Sequence, residues 1–196
     1  MIMLARIKQY RWVILACVAI FVVTGAVESG MGRLLLGPDG RFGWWEGNIW
    51  SREQSQRVAD PYSFSHIVHG MLFYAFLWLA ARKLPMRWRF VGALFLEAGW
   101  ELLENSPLII NRYREATIAL GYVGDSVLNS LSDIVMVAIG FCVAWRARFW
   151  ATVAAIVLME VGTLLWVRDN LTLNIVMLIH PIEAVKQWQF AGRPAE

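Results

Sequence analysis

Acids and histidines recur at helical spacing inside stretches of this chain that are otherwise apolar. His66 and His69 lie three apart, Glu97, Glu101 and Glu104 lie four and then three apart, and Asp125, Asn129 and Asp133 are spaced by four. Offsets of three and four place side chains on one helix face, so each set would form a polar stripe. A charged group inside a bilayer costs several kcal/mol, which makes each stripe a candidate working site. Imidazole with carboxylate suits Zn²⁺ or Mn²⁺, and carboxylate alone suits Mg²⁺. The same groups act as general acid and base when burial raises a carboxyl pKa. Glu101, Asp133 and His69 are therefore the candidate catalytic residues. His66, His69, Glu101 and Asp133 are the candidate ligands of a divalent metal, supported by Glu97, Glu104, Asp125 and Asn129. Arg112 and Arg114 follow the acidic stripe and could grip a phosphate or carboxylate headgroup with their planar forks. Glu160 is an isolated acid, and His180, beside Pro181, is given no role.

Only long helices can position such stripes. The 196 residues are 58% hydrophobic and 17% charged, against about 45–50% and about 25% in a soluble domain. The apolar residues gather in blocks near the ~20 residues that cross ~30 Å of hydrocarbon as a helix. Those blocks are 12–27, 63–81, 90–110, 122–145 and 151–167. A shorter stretch, 171–185, contains Pro181 and reads as a short sixth span or a re-entrant helix. The expected fold is all-α: a polytopic transmembrane bundle of five spans plus that short C-terminal segment, forming one membrane domain over residues 1–196. Residues 28–62 form a long aromatic loop with Trp44, Trp45 and Trp50, expected to lie at an interface. Cys17 and Cys142 both fall inside spans and read as packing residues, not as a disulfide. Arg6, Lys8 and Arg11 before an apolar run have the layout of a signal peptide, but the run is long and further spans follow. An uncleaved first helix is expected.

Basic residues orient the array. The N-terminal tail and the connectors at 82–89 and 146–148 carry three, four and two basic residues and no acid, whereas 28–62 carries four Arg against five acids. The basic segments then face the cytoplasm and the aromatic loop faces outward. His69, Glu101 and Asp133 each stand twelve residues from the cytoplasmic end of their spans, roughly 18 Å at 1.5 Å per residue. Three helices thus bring a titratable group to one level, and His66, Glu104, Asn129 and Asp125 continue outward. The arrangement predicts a polar chamber opening to the outside. The structural alternative is an ion-pair network that includes Arg112, Arg114 and Arg168, with Asn129 and Ser130 as interhelical hydrogen-bond donors.

Several strings resemble known families. Gly43-Trp44-Trp45-Glu46-Gly47-Asn48-Ile49-Trp50-Ser51-Arg52-Glu53, Ser63-Phe64-Ser65-His66-Ile67-Val68-His69-Gly70, the 97–114 segment and Arg168-Asp169-Asn170-Leu171-Thr172-Leu173-Asn174 resemble domain of unknown function 2585. That resemblance implies a multi-pass protein of the bacterial inner membrane and no particular activity. A sparser pattern resembles the VanZ-like membrane proteins: His66 or His69, Glu101, Arg112 or Arg114, Asp125, Asn129 and Gly140. The Gly121–Asp125 and Asn129–Asp133 strings are similar to elements of lipoprotein signal peptidase. The Asn-to-Asp offset differs, however, and two aspartates eight apart on one helix stand about 12 Å apart. That is too far to share a proton as an aspartyl dyad does, unless the helix breaks near Asp125.

Three functions fit these residues. One is a hydrolase or transferase acting on a lipid-linked envelope substrate, with membrane lipids as its partners. The second is a non-catalytic scaffold whose polar core sets helix register. The third is a proton-coupled transporter, disfavoured because the cytoplasmic halves of the spans lack comparable charges. Nucleic-acid binding is not expected, because the Lys and Arg residues sit at span ends and form no single patch.

Overall fold

A computed structural model describes residues 2–193, with side chains from Tyr10 onward, so Arg6 and Lys8 lie outside the described side chains. The described residues form eight helices: α1 (Ile2–Gly30), α2 (Ser63–Ala80), α3 (Met86–Glu104), α4 (Pro107–Ala116), α5 (Val127–Arg146), α6 (Phe149–Val167), α7 (Leu171–Ile179) and α8 (Glu183–Phe190). The chain is all-helical, as its periodicity implies. Among the described residues, four helices are long and apolar enough to cross a membrane: Tyr10–Gly30, α2, α5 and α6. The 19-residue α3 is not among them. Arg87, Arg89 and its three glutamates lower its hydropathy, and those glutamates are the ones the site uses.

The centre of the fold is α5, which packs closely along α2 and also against α3. Two glycines set the α2–α5 distance. A Cβ on Gly70 would run into the Val137 carbonyl, and one on Gly140 into the Ile67 carbonyl. Small residues let helix backbones approach where lipid supplies no hydrophobic drive between helices. Below this crossing Ala93, Leu94, Ala98, Ile134, Val137 and Phe141 form an apolar core. The polar groups sit above it.

Two expected continuous spans are broken, and so is the shorter C-terminal stretch. The 90–110 stretch ends at Asn105, and α4 restarts with Pro107 at its first position. Proline has no N–H to donate and forces the preceding Ser106 into extended backbone (φ −77°, ψ 152°), so the first helix cannot continue through it. The 122–145 stretch becomes helical only at Val127. Gly124 has φ +91°, a conformation L side chains rarely adopt, and Ser126 caps α5 by accepting from the Asn129 N–H. Asp125 therefore leaves the stripe that i, i+4, i+8 spacing assigned it. The 171–185 stretch breaks at His180-Pro181 into α7 and α8, of nine and eight residues. Each is about 14 Å or less in length, too short to cross hydrocarbon.

The 31–62 segment is a structured lid over α5. Its Leu34, Leu35 and Ser55 carbonyls accept from the N–H groups of Val127, Leu128 and Ser126, which satisfies donors that a helix start leaves unpaired. In return, Ser126 Oγ, Asn129 Nδ2 and Ser132 Oγ donate to the carbonyls of Gln56, Arg57 and Val58. Asn129 thus works as glue, as expected, but between helix and loop. Arg57 pairs with Asp39 at 2.6 Å and, chiefly by that hydrogen bond, holds its carboxyl below the usual carboxylate range. Trp45 stacks on Trp166 of α6 at 5.8 Å. Glu160 of α6 accepts from the Leu171 and Thr172 N–H groups at 3.2 and 3.0 Å, so the isolated acid caps α7.

Candidate functional site

His66 is the hub of the polar centre. One turn into α2, it is buried, with Nδ1 2.5 Å from Glu97 Oε1 and 3.6 Å from Glu101 Oε1 on α3, and Nε2 3.8 Å from Asp133 Oδ2 on α5. Glu97 also receives His69, whose Nδ1 lies 3.2 and 3.3 Å from its two oxygens. Glu97 is thus clamped between two imidazoles, while His69 rests on Phe73 and edges Trp100. The α2–α3 pairing differs from the expected level by one turn: His66, not His69, meets Glu101 and Asp133. Depth counted from span ends assumes parallel helices of matched ends, and the close α2–α5 crossing violates that assumption.

Glu101 stands apart from Glu97. It is fully buried, and neither carboxylate oxygen has a hydrogen-bond partner; Asp133 Oδ1 is likewise buried and unpartnered. A buried carboxylate without donors carries its whole desolvation cost. It must hold a proton or a cation. Donor atoms of three residue groups approach within 4.8 Å of one another: His66, His69 and Glu97; His66, Glu101 and Asp133; Glu101, Glu104 and Asp125. All four expected metal-ligand residues fall in these groups, and Glu97, Glu104 and Asp125 join them.

Asp125 reaches this centre from the loop before α5. Its N–H donates to Asn105 Oδ1 at 2.7 Å, and its Oδ1 accepts from the Tyr122 hydroxyl at 2.8 Å. Asn105 Nδ2 also lies 3.1 Å from Ser130 Oγ and 3.2 Å from the Glu101 carbonyl, tying the loop to the end of α3. Gly124 is required here, since a Cβ would strike Arg33 and Asn105. Burial raises the Asp125 carboxyl to about 6, and burial likewise raises Asp60 and Asp169, the latter to about 6.

His66 and its neighbours, though not Glu97 or Glu101, line a cavity of about 400 Å³, within the range of small-molecule sites. His66, His69, Glu104, Asp125, Asn129 and Asp133 contribute its polar surface, and Leu72, Phe73, Ile175 and Leu178 much of its apolar wall. Leu72 and Ile175 are themselves 45% and 47% exposed, so the wall continues onto the outer surface of α2 and α7. Among the described residues, no Lys or Arg lines the cavity. Arg112 donates to the Leu178 and Ile179 carbonyls, and Arg114 to the Tyr122 carbonyl. Both arginines clip backbone instead of facing the chamber, because the Pro107 break turns α4 away from the α3 axis.

Sequence reasoning passed over several members. Asp60 accepts from the N–H groups of Tyr62, Ser63 and Ser55, and Tyr62 donates to Asp169 at 3.0 Å. Both aspartates line the cavity. Asp60-Pro61-Tyr62-Ser63 carries a helix-start signal that could have located the first. Glu28 is buried at the end of α1, 3.4 Å from Asn105 Nδ2. Its place at the start of a presumed loop hid it.

Residues 29–191 match the family described as protein of unknown function (DUF2585). A UPF0314 protein of Rhizobium johnstonii is 48% identical over 185 residues, covering 94% of this chain and 95% of that protein. One from Sphingopyxis alaskensis is 45% identical over 194 residues, covering 97% and 100%. One from Paracoccus denitrificans is 50% identical over 147 residues, covering 75% and 76%. No solved structure matches the chain.

Proposed function

The chain belongs to the DUF2585 family, and from its site we propose that it is a multi-pass enzyme of the bacterial inner membrane, a metal-dependent hydrolase acting on a lipid-linked envelope substrate. One observation carries this reading. A buried histidine that lines an apolar-walled cavity, fixed by Glu97 at 2.5 Å, lies within 4 Å of two carboxylates with unpartnered oxygens, Asp133 on the cavity lining and fully buried Glu101 beside it. A divalent cation on His66, Glu101 and Asp133 would satisfy those oxygens and supply an activated water. In this reading α3 is the remaining span, shielded by α1, α2 and α5. The basic connectors face the cytoplasm, and the chamber opens toward the outer leaflet. The exposed apolar wall at Leu72 and Ile175 lets an acyl or prenyl chain stay in lipid while its headgroup reaches the floor.

The test uses the full chain in detergent, stripped by chelator, resupplied with Mn²⁺ and incubated with a lipid extract of a bacterial envelope. Mass spectrometry of the water-soluble fraction should show headgroup fragments for the native protein with Mn²⁺. His66→Ala should reduce them at least 100-fold, in line with the loss of a metal-activated water. Identical product spectra from native and His66→Ala protein would remove the enzyme. The short His66–Glu97 pair also favours a second reading, a polar core that only fixes the register of α2 on α3. That reading expects no products from either protein.

A further inference from the structure

We propose that the chamber holds two divalent cations bridged by Glu101. The proposal rests on the metal-dependent reading above and extends it from one ion to a pair. Glu101 is the residue common to two of the ligand groups: His66–Glu101–Asp133 on one side and Glu101–Glu104–Asp125 on the other. A carboxylate that bridges two cations gives one oxygen to each. Both Glu101 oxygens are buried and lack any hydrogen-bond partner, the state a bridging ligand needs before its ions arrive. Asp133 Oδ1, also buried and unpartnered, offers the first ion a further oxygen.

Charge argues in the same direction. Glu97, Glu101, Glu104, Asp125 and Asp133 crowd around His66 and His69, and among the described residues no Lys or Arg lines the cavity. Even with both imidazoles protonated, five ionised carboxylates leave three uncompensated charges in a low-dielectric bundle, and each such charge is expensive. One dication leaves a deficit. Two, with His66 neutral as a ligand must be, bring the floor close to neutrality, and their open coordination positions would take an anionic headgroup. That assigns the substrate class: a phosphoester-linked lipid, its phosphate held by the cation pair and not by Arg112 or Arg114, which are committed to carbonyls.

The donors also select the ions. The first set mixes imidazole with carboxylate, while the second is all oxygen, and Mn²⁺ is satisfied by both. The surrounding contacts hold the bridge in place: Asn105 fixes Asp125 from its backbone N–H, and Tyr122 from its carboxylate. Ion pairs of this type stand about 3.5–4 Å apart, close enough for their unpaired electrons to couple.

Chelator-stripped full chain in detergent is saturated with Mn²⁺, desalted, and examined by metal analysis and electron paramagnetic resonance. The native protein should retain two Mn²⁺ per chain with a spin-coupled spectrum. Asp125→Asn and Glu104→Gln should each retain one, with the uncoupled spectrum of an isolated ion. Glu101→Gln should lose the coupled signal while gel-filtration and helical circular dichroism stay native. One Mn²⁺ in the native protein, unchanged by Asp125→Asn and Glu104→Gln, would overturn the pair and leave the single-metal enzyme standing. No retained Mn²⁺ would overturn both.

Discussion

At the scale of single residues, the four helical acids of the site are not equivalent, although their positions in the sequence look alike. Glu97 accepts from two imidazoles, and Glu101, one turn further along the same helix, accepts from none. Removing one member of a buried ion pair costs about 3–5 kcal/mol, because its partner is left buried and uncompensated. Removing the charge of an unpartnered carboxylate instead relieves desolvation. In the presence of chelator, Glu97→Gln should therefore lower stability by about 3 kcal/mol. Glu101→Gln should change it by less than about 1 kcal/mol or raise it, since it gives up no hydrogen bond. Unfolding midpoints measured in detergent decide the matter. Equal losses from the two substitutions would mean that Glu101 has structural donors. The spacing of 97, 101 and 104 announces a stripe, but which member is paired depends on where the histidines of another helix stand.

The site's elements are held by close backbone approach and by breaks. The α2–α5 crossing needs glycine at 70 and 140, since a methyl group at either position meets a carbonyl of the facing helix. Carbonyls on helices cannot move aside as side-chain ends can. Gly70→Ala and Gly140→Ala should each cost about 1–3 kcal/mol, the range for overpacked cores, and should weaken the His66–Asp133 approach. Gly99→Ala and Gly162→Ala meet nothing within 4 Å and are the controls. Membrane yield and thermal midpoint compared across the four variants check this; a Gly140→Ala protein as stable as Gly162→Ala would refute the tight crossing. The breaks matter as much. Gly124 and Ser126 end the loop so that Asp125 approaches Glu101 and Glu104 from outside α5, and Pro107 turns Arg112 and Arg114 aside. Pro107 and the Gly121–Gly124 pair are visible in the sequence as breakers, yet hydropathy carried both spans through them, because Leu108, Ile109, Tyr122 and Val123 are apolar on the far side.

For the whole molecule, the decisive expectation is which side the chamber faces. In a variant lacking Cys17 and Cys142, a cysteine in place of exposed Arg52 should react with an impermeant maleimide added to intact cells, and one in place of exposed Lys83 should not. The reverse pattern would invert the proposed orientation and put the site on the cytoplasmic side. Composition and periodicity alone determined that the chain is helical, that several of its stretches are long and apolar enough for a membrane, and that His66, His69, Glu97, Glu101, Glu104 and Asp133 lie on helix faces. Those are local properties: the 3.6-residue period and the cost of burying charge act on neighbours in the chain. Only the tertiary structure decided that His66 and not His69 joins Glu101 to Asp133, that Asp60 and Asp169 enter the cavity, and that the two arginines do not. Contacts of that kind depend on the angle and register at which helices cross, and here two glycines and the carbonyls facing them set both.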